Sequence, residues 1–330
     1  MTKLSLTMAV HPYDRVRPIL DGRVPIEGCD INALLIDPSE AFLRTYQAQE
    51  FDVTEMSVSS HIFTTARGDT DYIAIPAFVS RMFRHSSFYI RTDRDIEKPE
   101  DLRDKLVGVP EYQMTAALWA RGILSDEYGV KPQEIRWRTG GQEQPGRIER
   151  TPLKLPAGFD VQAIPRDRTL TDMLATGELD AVISARAVSS FTRGAPNVGR
   201  LWPDFRTAEE AYYHKTKLFP MMHMVGLRRS LHEEHPWLAT SIYKAFRRAK
   251  DIALAEMAEV GFLYVSLPWI GEDLKRAQAV LGKDVWPYGI EANRRELETM
   301  ARWSVEQGIA PRIVSVEELF AKGTLIDRAL

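Results

Sequence analysis

The run Leu106-Val-Gly-Val109 meets Pro110, passes through Glu111, Tyr112, Gln113 and Thr115, and gives way to apolar helical periodicity from Thr115 to Tyr128. A strand that stops at a proline and leads at once into a helix constrains the fold. The helix must run back over the sheet, so the next strand lies parallel to the first. The junction also offers free backbone N–H groups and the positive end of a helix dipole, which suit an anionic ligand. An aromatic residue among polar ones at that place points to a small-molecule pocket rather than a packing joint. The same alternation recurs along the chain. Strands are expected over Leu4–Val10, Ile31–Leu35, Phe51–Met56, Tyr72–Phe78, Phe88–Arg91, Ile135–Thr139, Val161–Ile164 and Ala181–Ser184. Helices are expected over Pro38–Ala48, opened by Asp37 as cap, and over Ser57–Arg67, Leu170–Thr176, Trp237–Glu259 and Glu291–Gln307. The class is therefore α/β with a largely parallel sheet, in which ligands sit beyond the carboxyl ends of strands.

A chain of 330 residues can build two domains with proper cores. A net charge of -3 makes no global case for nucleic acid or a membrane surface as partner, and no apolar run is long enough to span a bilayer. Cys29 is the single cysteine, which excludes an intrachain disulfide and a thiolate metal cluster. The opening residues alternate apolar with Ser5 and Thr7 and run straight into His11-Pro-Tyr-Asp-Arg15, so they read as a first strand rather than a signal peptide. A cytoplasmic location is the expectation. The Gly-, Pro- and charge-rich stretch 140–158 reads as a long loop within the second domain, either covering a pocket or building an oligomer contact. An internal echo links Glu50-Phe-Asp-Val53 to Glu178-Leu-Asp-Ala181, each followed by a strand and a serine-rich end, and suggests two similar lobes.

Five motifs, Phe51-Asp-Val-Thr-Glu-Met-Ser-Val-Ser-Ser60, Phe83-Arg-His-Ser-Ser-Phe-Tyr-Ile90, Gly108-Val-Pro-Glu-Tyr-Gln-Met-Thr115, Thr139-Gly-Gly-Gln-Glu143 and Gly177-Glu-Leu-Asp-Ala-Val-Ile-Ser-Ala-Arg186, give the chain a resemblance to the 4,5-dihydroxyphthalate decarboxylase family. The Gly-Val-Pro-Glu-Tyr-Gln-Met-Thr and Phe-Arg-His-Ser runs are its most specific parts. The resemblance implies a two-lobed type II periplasmic-binding-protein-like fold with two crossover strands. Residues 1–91 and 219–330 would form the first lobe, 92–218 the second, and the cleft between them the active site. It also implies loss of one carboxylate from an ortho-dicarboxylated catechol, giving 3,4-dihydroxybenzoate and CO2 in aromatic degradation.

Each carboxylate of such a substrate is para to a hydroxyl. Removing that hydroxyl's proton drives electron density to the carboxylated carbon, a general acid protonates the carbon, and CO2 leaves as aromaticity returns. The site needs a cation for the retained carboxylate, a base near the hydroxyls and an acid near the ring. Arg186, past the strand Ala181–Ser184, could hold a carboxylate, or could be a surface ion pair. Arg81, Arg84 and His85 lie between a strand and the first crossover, where they could anchor an acid or bridge the lobes. Glu111 is a proton-transfer candidate or a carboxylate favoured by the helix dipole; Gln113 and Thr115 bind substrate or cap the helix; Tyr112 binds or packs. Glu55 is a base candidate, and Ser57 and Ser59 bind oxygens or cap the next helix. His11 ends the first strand and His223 lies in the apolar stretch Phe219–Val225 at the expected return crossover; both are candidates for proton transfer, against the alternative of satisfied core histidines.

No His-x-x-x-His or Cys-x-x-Cys spacing is present. A cofactor-free, metal-free site is expected, with His11, Glu55, His85 and His223 as the ligand set if a divalent metal were required. A homo-oligomer acting on a small aromatic dicarboxylate is expected. Trp237, Trp269, Trp286 and Trp303 read most simply as core, with Trp269 and Trp286 as alternatives for an interface or a cover. The rival from another class is a solute-binding protein for a small aromatic or carboxylic acid.

Overall fold

A computed structural model describes residues 3–150 and 152–326. The chain divides into two compact units, one of Met1–Arg81, Met221–Glu298 and Val314–Leu330, the other of Met82–Pro220 and Thr299–Ile313.

The first unit is built on β1 (Leu4–Val10), β2 (Cys29–Leu35), β3 (Val53–Ser57) and β4 (Tyr72–Arg81), with a late strand inserted between the last two. The second holds β5 (Phe88–Arg91), β6 (Leu106–Val109), β7 (Arg136–Thr139), β8 (Val161–Ala163), β9 (Ala181–Ile183) and β10 (Val198–Arg200). The late strand is β11 (Met221–Arg228), which returns to the first unit.

In the first unit the strand order is β2-β1-β3-β11-β4. β1 is parallel to both its neighbours, while β11 is antiparallel to β3 and β4. β3 and its flanks are buried because the helices Pro38–Ala48 and Val58–Arg67 pack on the sheet. The segment after Val314 seals β4, with Ala321 N donating to Ala74 O at 2.9 Å and His61 Nε2 on Leu319 O at 2.9 Å. Burial holds the His61 imidazole down at about 4, so it is a neutral structural ring.

In the second unit the order is β10-β5-β9-β6-β7-β8. β6 to β9 are mutually parallel, as the helix-linked crossovers require, and β5 and β10 are antiparallel additions. One core gathers Tyr89, Leu170, Leu174, Leu179, Val182 and Val188. The helix Thr115–Tyr128 is buried along most of its length, and Trp119 meets Trp303 edge-on at 5.0 Å. A Cβ at Gly122 would collide with the Trp303 indole, which is why that helical position carries no side chain.

Several sequence expectations are corrected. Both sheets are mixed rather than largely parallel, because β11, β5 and β10 run against their neighbours; the apolar composition that identifies a strand does not encode its direction. Met82–Arg91 belongs with the second unit, since β5 pairs with β9 and β10, and so does Thr299–Ile313. Trp303 is core, but Trp237 is 46% and Trp269 70% exposed. Residues 141–160 carry no regular element between β7 and β8, as the composition of 140–158 implied; Thr151 lies outside the described residues. Among the described residues no helix is long and apolar enough to cross a membrane.

Candidate functional site

Glu55 sits on β3, and Val225 of β11 lies opposite it. His223 is opposite Ser57, so Glu55 and His223 are diagonal neighbours on one sheet face. The pairing of β11 with β4 slips on both sides of His223, an irregularity of the kind that re-aims a side chain. His223 Nδ1 lies 2.6 Å from Glu55 Oε1. The same oxygen accepts from the Tyr13 hydroxyl at 2.8 Å, and Oε2 accepts from the His11 backbone N–H at 3.0 Å.

Glu55 is 1% exposed. Burial would raise its carboxyl, but the hydrogen bond and charge of His223, with the His11 and Tyr13 donors, outweigh burial and hold it below the ordinary carboxylate range. An ionised carboxylate can only accept, so the proton of the shared bond belongs on Nδ1. A neutral His223 then carries its lone pair on Nε2, which has no hydrogen-bond partner among the described residues. The ring is braced edge-on by Phe42 at 4.8 Å. Tyr13 is driven well above the usual phenol range by burial and by the Glu55 charge, so it stays a donor. The His11 ring packs edge-on against Tyr13 at 4.9 Å. This is a carboxylate-oriented imidazole able to take or give a proton at its second ring nitrogen.

Arg81 acts as a strut in its own unit. Its Nη2 donates to Pro287 O at 3.0 Å and to Asn293 Oδ1, fixing the segment that carries Trp286 and Tyr288. Ser57 caps the following helix, accepting from Ser60 N at 3.3 Å, and Ser59 is buried within that helix.

In the second unit, Glu111 is 2% exposed and bound by Arg147 and Arg150, with the Arg150 guanidinium at 3.0 Å. It anchors the 140–158 loop. Tyr112 is fully buried, donating to Gln307 O at 3.2 Å with the Arg121 guanidinium 3.7 Å from its ring centre. Gln113 and Thr115 are buried, but neither caps the helix; the cap position is Met114. Glu149 of the loop accepts from Tyr112 N, and burial raises its carboxyl to about 7. Arg186 is exposed past β9, where Gln142 donates to Ala187 O at 3.0 Å and Glu143 accepts from Ser189 N at 2.9 Å, pinning the turn.

Arg84 and His85 have a different character. Arg84 is 3% exposed, yet among the described residues its only hydrogen bond is a long one to Ser87 Oγ at 3.4 Å, and Nε has none. Burial pulls its guanidinium down to about 10, opposed by the charge of Glu209. A buried cation with no directly bonded carboxylate is a costly arrangement that an anion would relieve. His85 packs on Trp202 at 4.9 Å and Tyr212 at 5.3 Å, its Nδ1 unbonded, and burial lowers it to about 4, so it is uncharged near neutrality.

Thus His11, Glu55 and His223 come together, Arg84 stays available to an anion, and Glu111, Tyr112, Arg81 and Ser57 have structural partners. Among the described residues no group of three or more His, Cys, Asp or Glu side chains is arranged to hold a metal ion. Sequence reasoning gave no site role to Tyr13, Arg15 or Tyr288, and read Trp286 as core with an interface or a cover as the alternative. Tyr13 and Arg15 were signalled only by following directly on a strand end. Tyr288 lies some 270 residues further along the chain and had no such signal.

No protein-family profile matches the chain. It is 44% identical over 325 residues to the 4,5-dihydroxyphthalate decarboxylase of Comamonas testosteroni, covering 98% of each. It is 48% identical over 213 residues to that of Pseudomonas putida, covering 64% of this chain and 83% of the relative. Among solved structures, the periplasmic aliphatic sulphonate binding protein SsuA from Escherichia coli aligns with a TM-score of 0.55 at 11% identity, over 98% of this chain and 99% of that one. The alkanesulfonate-binding protein SsuA from Xanthomonas axonopodis pv. citri aligns with a TM-score of 0.52 at 12% identity, over 97% and 99%. At such identities the likeness is one of fold, and the fold is of the type II periplasmic-binding-protein kind.

Proposed function

The chain belongs to the 4,5-dihydroxyphthalate decarboxylase family, and on that premise we propose that it removes one carboxylate from 4,5-dihydroxyphthalate, or a closely related hydroxylated aromatic acid, to give 3,4-dihydroxybenzoate and CO2. It is a carboxy-lyase of phthalate degradation. A solute-binding protein without catalysis is not favoured, since the binding proteins are alike in fold at 11% and 12% identity and the decarboxylases in sequence at 44% and 48%.

The pairing of His223 Nδ1 with Glu55 Oε1 at 2.6 Å carries the assignment of proton chemistry. His223 Nε2 takes the proton of the hydroxyl para to the departing carboxylate, and Glu55 stabilises the imidazolium that results. Protonation of the carboxylated carbon gives a dienone. The C–C bond then breaks, CO2 departs, and its electron pair returns to the ring as a phenolate, which recovers its proton from His223. One proton is consumed from solvent overall. The hydroxyl and the carbon para to it are on opposite sides of the ring, so a second group must supply the carbon's proton. His11, the other imidazole of the cluster, is that group in our reading.

The chemistry runs without an organic cofactor or metal in this reading. The test is turnover by chelator-treated protein, following CO2 and 3,4-dihydroxybenzoate. Turnover only after a divalent metal is restored would replace the metal-free scheme. Tight binding without product would move the chain to the binding-protein class. A cytoplasmic homo-oligomer completes the proposal, checked by cell fractionation and light scattering.

A further inference from the structure

Arg15 is the cation nearest in the chain to the Glu55 cluster, and its surroundings are unusual. Its guanidinium is stacked between two aromatic rings, 4.2 Å from the Tyr13 centroid and 4.1 Å from that of Trp286. Both faces are thereby closed, and Trp286 is itself fixed by its indole N–H to Phe78 O at 2.8 Å. Arg15 Nε donates to Val79 O at 2.7 Å and Nη1 to Asp14 Oδ1 at 2.9 Å. A guanidinium has five N–H donors, so among the described residues three remain, both on Nη2 and one on Nη1. Neighbouring N–H groups of a guanidinium form the fork that grips a carboxylate in its plane.

A second, independent observation marks the same place. The Tyr288 hydroxyl is buried and has no hydrogen-bond partner among the described residues. It lies within electrostatic reach of Arg15, Arg81, Asp14 and Glu55. A buried donor left unbonded is costly, and a ligand oxygen would satisfy it.

We propose that Arg15 and Tyr288 form a carboxylate subsite that holds the carboxylate the substrate keeps, and so select for an aromatic acid with a second carboxylate. The inference rests on the decarboxylase reading. The choice between the two carboxylates follows from energetics. An ion pair to the departing group stabilises the ground state and is lost as neutral CO2 forms, which slows the step; an ion pair to the retained group persists throughout and costs the reaction nothing.

The product keeps that carboxylate and catechol has neither, so the pair isolates the contact without any turnover. Arg15→Met should weaken 3,4-dihydroxybenzoate binding by about 10- to 100-fold, and Tyr288→Phe by about 5- to 10-fold, while both leave catechol binding unchanged by titration calorimetry. Tyr288→Phe removes only a hydroxyl without a partner, so it carries the test if Arg15→Met does not fold, together with Arg15→Lys, which keeps the charge and loses the fork. Equal loss of product and catechol, or no loss of product, overturns the proposal. So does weakened 4,5-dihydroxyphthalate binding with unchanged product binding, which would put Arg15 on the departing carboxylate. If the wild-type protein neither turns over 4,5-dihydroxyphthalate nor binds the product, the decarboxylase reading itself fails; if it does both and the variants do not discriminate, only the subsite fails.

Discussion

Replacing Glu55 by glutamine changes one atom of a fully committed side chain. The carboxylate takes three donors, two on Oε1 and one on Oε2. An amide has one accepting end. If its oxygen faces His223 and Tyr13, its NH2 opposes the His11 N–H; if it turns over, NH2 opposes Nδ1–H and forces the wrong tautomer on the imidazole. Either way the negative charge that stabilises an imidazolium is gone. A charge-assisted hydrogen bond contributes about 1.5–3 kcal/mol, so kcat should fall by about 10- to 150-fold with a much smaller change in KM. The fold should survive, because removing a buried charge offsets part of the lost bonding. A pH signature separates the two effects. The folded-state carboxyl of Glu55 is held below its unfolded value, so its contribution to stability is present above the unfolded pKa and is lost as pH falls through the folded one. Glu55→Gln should therefore flatten the acid limb of a stability-against-pH curve from chemical denaturation. Wild-type kcat in Glu55→Gln, with the variant folded, would refute the role of the pair.

His223→Gln should abolish most turnover, by about 100-fold or more, while leaving product affinity within a few-fold, as expected for a proton-transfer group. Burial raises the Glu149 carboxyl to about 7 in the fold, above the ordinary carboxylate range, so the folded state binds the extra proton and stability falls as pH rises across that window, by about 3 kcal/mol in all; Glu149→Gln should remove that decline in denaturation curves at pH 5 and 8. Glu111→Gln removes the anion that Arg147 and Arg150 share, at a cost on the order of 3 kcal/mol, and should speed proteolysis and amide exchange in the 140–158 loop; unchanged exchange would show that the ion pairs do not hold it. Gly122→Ala drives a methyl into the Trp303 ring and should cost about 1–3 kcal/mol, seen as a lower melting temperature.

The sequence by itself determined the elements that depend on local physics. The helices Pro38–Ala48, Thr115–Tyr128 and Leu170–Thr176 lie where periodicity, caps and terminal glycines put them, and the strands Leu4–Val10 and Phe88–Arg91 agree to the residue. Those signals act within a few residues of one another, so a single stretch carries them. The same is true of the candidacy of Glu55, within a strand, and of His11, just past one. Pairing was beyond that reach. That His223 lies diagonal to Glu55 is a matter of strand register and of a slip in the pairing of β11, and register depends on which strands meet. Whether a charged side chain is free or spent is equally non-local. Arg81 is held by Asn293 and Glu111 by Arg147 and Arg150, while Arg84, equally buried, has no such partner among the described residues; nothing in the local sequence separates these three. The stacking of Arg15 between Tyr13 and Trp286 joins residues some 270 positions apart. Tertiary structure alone decides such contacts, because a charge or hydroxyl is given its role by what closes around it.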